Sequence, residues 1–398
     1  MSAAARLAGL FTRRNRAFRR LVLADQLRFT TGFIRPVANG TSERAEAAVL
    51  WLLRAQDRSG DRGASMGYYP LDPEARDGWM PSYPETTGYI IQTLLAYAER
   101  TGRREIVDRA MEMARWEIGI QMPDGSVMGG HLRPPEERRP AAFNTGMVLQ
   151  GWTAAYRATG DAAVLGAARR AADWLVADLD DEGYYRTHGA MVPHAPVKTY
   201  SSLCSWALFR FGEDTGEDRY KAAAVRNIAA TLRQQRPSGW FANNCLTHPK
   251  TPLLHTIGYT LQGVLEVGIL SGEARFVEAA RRGATPLLAR ISGKGFVPGR
   301  FREDWTPAVR WSCLTGNAQL AVVCFRLFEV TREKAFLDAA NRLTNLLKAL
   351  QRMGTGDDGI DGAIAGSFPI FGGYMTAGFP NWATKYLVDA LLAQERAR

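Results

Sequence analysis

The sequence predicts an all-α protein, a ring of six helical hairpins in the (α/α)6 toroid arrangement, on three observations. A helix–turn–helix unit returns with a period of about 56 to 60 residues. Within each unit one helix is apolar almost all round, while the next is apolar along a single stripe. The connections also alternate, a tight Thr-Gly or Ser-Gly turn being followed by a stretch of roughly twenty residues.

Residues 83–130 give the unit in its clearest form. Tyr89, Ile90, Ile91, Leu94, Leu95 and Tyr97 surround the first helix, whereas Ile106, Val107, Ala110, Met113 and Trp116 alternate with Arg, Asp and Glu in the second. The first is therefore expected inside the ring and the second outside. Inner helices are expected to begin near Glu85, Asn144, Tyr200, His255, Ser312 and Asn381, and outer helices near Ser42, Arg104, Asp161, Glu217, Glu273 and Glu333. Pro84 suits a first helical position, where its missing N–H is not needed. Thr41 and Ser42 with Glu46 read as the N-cap of the first outer helix. Gly102, Gly160, Gly216 and Gly272 close successive inner helices, glycine being at ease in the left-handed C-cap conformation; Thr331-Arg332 takes the fifth place without it. Asp124-Gly125, Glu182-Gly183, Ser238-Gly239, Lys294-Gly295 and Asp358-Gly359 set a turn in each long connection.

A length of 398 residues alone suggests two or three domains. The repeat overrides that count and leaves a basic amphipathic extension, 1–40, before one toroid, 41–398. The net charge of +10 favours anionic partners, but the arginines are scattered and no binding motif accompanies them, so nucleic acid is not expected. Cys204, Cys245, Cys313 and Cys324 sit in or beside apolar segments, as reduced thiols of a cytoplasmic protein would. No apolar run approaches the roughly eighteen residues of a membrane span, and arginines interrupt any signal-peptide core. The segment RLAGLFTRRNRAFRRLVLADQLRF is amphipathic; it either packs on the toroid or lies on an anionic membrane surface as a peripheral contact.

The long connections enter the inner helices on one face, which is where a site is expected. Six helix N-termini gather there, with free N–H groups and partial positive charge suited to an anionic or hydroxyl-rich ligand. Glu85 stands in the first turn of its helix; the dipole favours its ionised form, so a catalytic Glu85 is expected as base or nucleophile unless burial wins, and a first-turn acid is equally a purely structural feature. His255 is a candidate proton shuttle, or a structural histidine. Asp304, beside Trp305, is a candidate general acid whose pKa an indole wall would raise, or one of two solvated turn acids with Glu303. Arg310 could clamp a carboxylate, or pair with those acids.

Asn144, Asn317 and Asn381 recur at inner-helix starts, as hydroxyl binders or as caps. Lys198 and Lys385 add positive charge to the same face. All five histidines, His131, His188, His194, His248 and His255, lie in long connections or at a helix start. Trp79, Tyr83, Tyr184, Tyr185, Trp240, Trp305, Tyr374 and Trp382 are placed to stack on sugar faces, while Trp51, Trp116 and Trp174 are core. Cys245, His248 and His255 match no zinc spacing, and no metal or cofactor is expected.

The hairpin pattern resembles the six-hairpin glycosidase superfamily over residues 41–396. The stretches FNTGMVLQGW (143–152), HTIGYTLQGVLEVG (255–268), RWSCLTGNAQLA (310–321) and FPNWATKYLVDALL (379–392) resemble, more narrowly, proteins encoded in bacterial exopolysaccharide-biosynthesis clusters. The superfamily resemblance implies a hydrolase, a uronate lyase or a sugar epimerase. Asn243 and Asn244 with Tyr200, Tyr259 and His255 resemble the sets of related uronate lyases, where an amide neutralises the carboxylate, a base takes the C5 proton and a tyrosine relays it. The expected function is action on a polysaccharide or oligosaccharide, anionic through its uronate, by hydrolysis or by C5 proton abstraction. A non-catalytic glycan-binding or scaffold protein is the alternative of a different class. A terpenoid cyclase is a third; its acidic motif has no counterpart beyond Asp180-Asp181-Glu182 and Asp357-Asp358, which both precede turn glycines.

Overall fold

The structure is a computed structural model and describes residues 16–189 and 197–397. A helix α1 (Arg16–Thr31) precedes the ring. The outer helices are α2 (Thr41–Ser59), α4 (Arg104–Ile120), α6 (Ala162–Asp178), α8 (Asp218–Leu232), α10 (Ala274–Leu288) and α12 (Lys334–Leu350). The inner helices are α3 (Pro84–Thr101), α5 (Ala142–Thr159), α7 (Ser202–Thr215), α9 (Leu254–Ser271), α11 (Leu314–Thr331) and α13 (Asn381–Arg396). Each inner helix packs on the next inner helix and on its own outer partner, and α13 closes the ring against α3 and α2. The sixth hairpin is thus made from opposite ends of the chain.

Burial follows the hydropathy pattern. Every residue of α9 from Leu254 to Gly268 is buried, whereas α10 buries only the stripe of Phe276, Ala279, Ala280, Gly283, Ala284 and Leu287. Trp51 is fully buried; Trp116 and Trp174 are only half-buried. Arg332 ends α11 in the left-handed conformation, φ 62°, that glycine supplies at Gly102, Gly160, Gly216 and Gly272. The start of α2 differs from expectation. Gly40 enters it in a left-handed conformation with no side-chain cap, because Thr41 and Ser42 turn their hydroxyls to Gln394 and Glu395 at the end of α13.

Two short antiparallel ladders tie the long connections together: β1 (Gly67–Tyr68) with β4 (Phe379–Pro380), and β2 (Ser312–Cys313) with β3 (Ser367–Phe368). Helix α1 packs on this layer through Phe18 against Phe379 and Phe29 against Phe368, and its buried Asp25 is ion-paired to Arg352. No described helix is long and apolar enough to cross a membrane. The four cysteines are free and buried.

Glu117 of α4 is fully buried, and neither of its carboxylate oxygens has a partner among the described residues. Desolvation, reinforced by Asp61, holds its pKa well above the ordinary 4.5. A raised folded-state value means that its stabilising contribution is full below pH 4.5 and is lost as pH rises. Glu117→Gln is therefore expected to gain stability relative to wild type as pH increases, read as melting temperature against pH for both proteins. An equal pH dependence in the two would refute this.

Candidate active site

The inner-helix N-termini meet at a cavity of about 150 Å³ on the long-connection side. Helix α3 supplies Glu85 and Tyr89; α5 supplies Phe143 and Asn144; α9 supplies His255 and Tyr259. Tyr83, Tyr200, Tyr374 and Trp382 complete the aromatic wall. Glu85, Tyr89, Asn144, His255 and Tyr259 follow from the hairpin register, each standing in the first two turns of its inner helix.

Glu85 is the one carboxylate among the described lining residues, and no hydrogen bond or ion pair reaches it there. It is half-buried on the cavity wall, and desolvation raises its pKa from 4.5 to about 8. At neutral pH it is a protonated carboxylic acid. This reverses the expectation of a base: a helix terminus favours the anion by roughly 0.3–1 kcal/mol, which desolvation by several pKa units outweighs.

His255 carries the opposite readiness. Burial lowers its pKa to about 4, so the imidazole is neutral at pH 7. Its Nδ1 lies 2.6 Å from Gln319 Oε1, which places the ring proton on Nδ1 and leaves Nε2 as the basic atom. The ring stacks on Tyr259 at 4.3 Å and on Tyr374 at 5.5 Å. Burial and the nearby Glu85 push the phenols of Tyr83, Tyr89, Tyr200, Tyr259 and Tyr374 upward, so they remain hydrogen-bond donors. Among the described residues Asn144 Nδ2 is buried on this wall without a partner, while the phenols of Tyr89, Tyr259 and Tyr386 lie close enough to bond one another. Unpartnered groups are few in folded proteins, and this one lines the cavity.

His188 also lines the cavity, and sequence reasoning did not select it. Its Nδ1 lies 2.6 Å from the buried Asp178, whose carboxyl desolvation raises, and its ring packs on Trp174 at 5.2 Å. The available signal was the gathering of histidines in the long connections; nothing local indicated that the connection after α6 folds back onto the helix's last residue.

Several expected residues lie elsewhere. Asp304 is exposed and accepts from the Thr306 backbone N–H and hydroxyl at 2.9 and 2.6 Å; these bonds lower its pKa, so it is ionised and outside the cavity lining. Trp305 is a buried wall, donating to Ser238 O at 2.9 Å and packed on Trp240. Trp79 packs between Trp51 and Tyr68, and Tyr184 and Tyr185 are buried. Arg310 and His248 are exposed and outside the lining. Lys198 donates to Cys245 O at 2.6 Å, and Lys385 pairs with Asp389 over the Tyr386 ring.

The remaining asparagines are stitches between connections and helices. Asn381 donates to Ser65 O and Thr86 Oγ1, both at 2.8 Å, and Asn317 accepts from Ser312 Oγ at 3.1 Å. Asn244 accepts from Thr260, while Asn243 is an exposed left-handed turn residue bonded to Gln234. His194 lies outside the described residues. No lysine or arginine is among the described lining residues, and no group of three or more His, Cys, Asp or Glu among the described residues is disposed to hold a metal.

No protein-family model matches the sequence, and no curated protein matches it. Solved structures do match. An unsaturated glucuronyl hydrolase specific for heparin is 15% identical with a TM-score of 0.72, over 89% of this chain and 97% of that one. The unsaturated glucuronyl hydrolase of Bacillus sp. GL1 is 19% identical with a TM-score of 0.70, over 90% and 97%. The cellobiose 2-epimerase of Bacillus thermoamylovorans is 11% identical with a TM-score of 0.67, over 87% and 95%. At such identities the likeness speaks to architecture alone: the chain has the (α/α)6 toroid fold of these structures.

Proposed function

We propose that the chain is a carbohydrate-active enzyme that seats one uronate residue in this cavity and transfers a proton at its C5, as an epimerase or a lyase. The observation that carries the reading is the pairing of a protonated carboxyl, Glu85, with a neutral imidazole, His255, in a cavity with no second carboxylate among its described residues. Hydrolysis by displacement uses two carboxyl groups, one on each side of the bond. Abstraction of a proton next to a carboxylate needs a base and hydrogen-bond donors to the enediolate. His255 Nε2 takes the C5 proton, and the electron pair of the broken C–H bond moves into the carboxylate. The acid proton of Glu85, Asn144 Nδ2 and the phenols of the wall hydrogen-bond the charge that develops. Return of a proton to the other face gives the epimer; expulsion of the substituent at C4 gives the unsaturated lyase product. With no lysine or arginine among the described lining residues, uncharged donors there hold the substrate.

A second reading is favoured by the structural neighbours. Unsaturated glucuronyl hydrolases act, by their names, on a sugar that carries a double bond, and one neutral carboxylic acid is enough to protonate an alkene carbon. Glu85 would serve there as well. An exopolysaccharide setting rests on the four sequence stretches alone. The test is incubation of uronate oligosaccharides, saturated and unsaturated, in D2O with mass and ultraviolet readout. Deuterium at C5 without chain cleavage supports epimerisation, and new absorbance supports elimination. Loss of absorbance from the unsaturated set moves the assignment to the second reading. Binding without any turnover overturns both in favour of a glycan-binding protein.

A further inference from the structure

Helix α1 has two unlike faces. Phe18 and Leu21 are buried against the toroid, while Leu23, Leu27 and the nearby Phe33 are 67%, 65% and 62% exposed. Leu23 and Leu27 are one helical turn apart and so present neighbouring side chains. Beside them runs an open groove between α1, the first turn of α2 and the end of α12, lined by Arg20, Ala24, Arg28, Arg44, Arg352 and Met353, the last 43% exposed. Arg20 and Ala24 adjoin both features, so the apolar strip and the groove form one surface.

The charge of that surface is lopsided. Four guanidinium groups face the groove, and the acids that reach them are Asp25, buried on Arg352, and Glu43, beside Arg44. Arg44 Nη1 and Arg352 Nε are buried without a partner among the described residues. Guanidinium forks match phosphate oxygens bidentately, and leucine and phenylalanine beside them insert among acyl chains. Arg6, Arg13 and Arg14 precede the helix in sequence.

We infer that this face of α1 is a docking surface for an anionic membrane, with the four-arginine groove taking phospholipid headgroups and Leu23, Leu27 and Phe33 entering the interface. It lies apart from the cavity, and it holds whether or not the proposed reaction does. Wild-type protein is expected to co-sediment with vesicles of phosphatidylcholine containing phosphatidylglycerol, not with phosphatidylcholine alone, and to be released by raised salt. Leu23→Ser/Leu27→Ser and Arg20→Glu/Arg28→Glu are each expected to weaken that binding about tenfold or more, with unchanged circular dichroism and cavity chemistry. Three results overturn the inference. One is equal binding to both vesicle types. Another is a dimer in solution that the leucine substitutions abolish, which would make the face a self-association surface. The third is vesicle binding that survives both double substitutions but is lost on deletion of residues 1–15, which would give the contact to that segment.

Discussion

Glu85→Gln is expected to lower turnover by about 10²- to 10⁴-fold, the usual contribution of a positioned acid or base, with a smaller effect on substrate binding because the amide still donates a hydrogen bond. The pH profile makes the prediction specific. Activity requires Glu85 protonated and His255 neutral, so the rate should be highest between the two values and fall above about 8, as Glu85 ionises, and below about 4, as His255 gains a proton. In Glu85→Gln the alkaline limb of the residual activity should disappear while the acid limb stays. Persistence of the alkaline limb would assign it to another group and remove Glu85 from its role. The same shift has a stability consequence. A carboxyl raised from 4.5 to about 8 gives its full stabilising contribution below pH 4.5 and loses it as pH climbs through 8. The variant should therefore be no less stable than wild type at alkaline pH, which separates lost chemistry from lost fold.

Gly151→Ala should be among the most damaging single-methyl changes within the inner helices. A β-carbon there would lie 2.1 Å from Gly88 O and 3.1 Å from Ile91 Cδ1; reciprocally, one on Gly88 would lie 2.6 Å from Val148 Cα. Helices α3 and α5 cross backbone to backbone at this point, and neither can yield by rotating a side chain. The expected loss meets or exceeds the roughly 1–3 kcal/mol of ordinary overpacking. Activity should fall with it, because parting α3 from α5 carries Asn144 away from Glu85. Gly119→Ala on the outer helix α4 is the control, since nothing lies within 4 Å of its added carbon. Helix propensity alone should make that change neutral or stabilising by roughly 0.5–1 kcal/mol. Equal melting temperatures for wild type and Gly151→Ala would refute the account.

The ring was legible in the sequence because its signals are local and repeated. Apolar wrapping, glycine caps and loop asymmetry each act within a few residues, and six copies average out the exceptions, such as Arg332. The site was legible only as a region. Glu85, Asn144, Tyr200 and His255 were placed at the cavity by register alone, yet Asn317 and Asn381, at equivalent positions, turn their amides to backbone and hydroxyl partners. The same side chain can cap, stitch or bind, and only its neighbours in space decide. Asp304 failed as an acid for a related reason: a serviceable hydrogen-bonding partner two residues away, Thr306, outcompeted the indole wall. The ionisation state of Glu85 was hidden because the dipole is a property of its own helix, while desolvation comes from residues of other helices and connections that close around it.

The sixth hairpin, α13 with α2, has a consequence for biogenesis. On the ribosome α2 is made well before α13, so the residues of α2 that meet α13, such as Thr41 and Ser42, wait without those partners until α13 follows. Five hairpins can form in sequence; the ring cannot close, and Trp382 cannot reach Tyr83, until α13 has left the ribosome. A nascent chain without α13 thereby has an incomplete cavity wall, and a stop before α13 leaves the faces of α2, α3 and α11 that it covers bare.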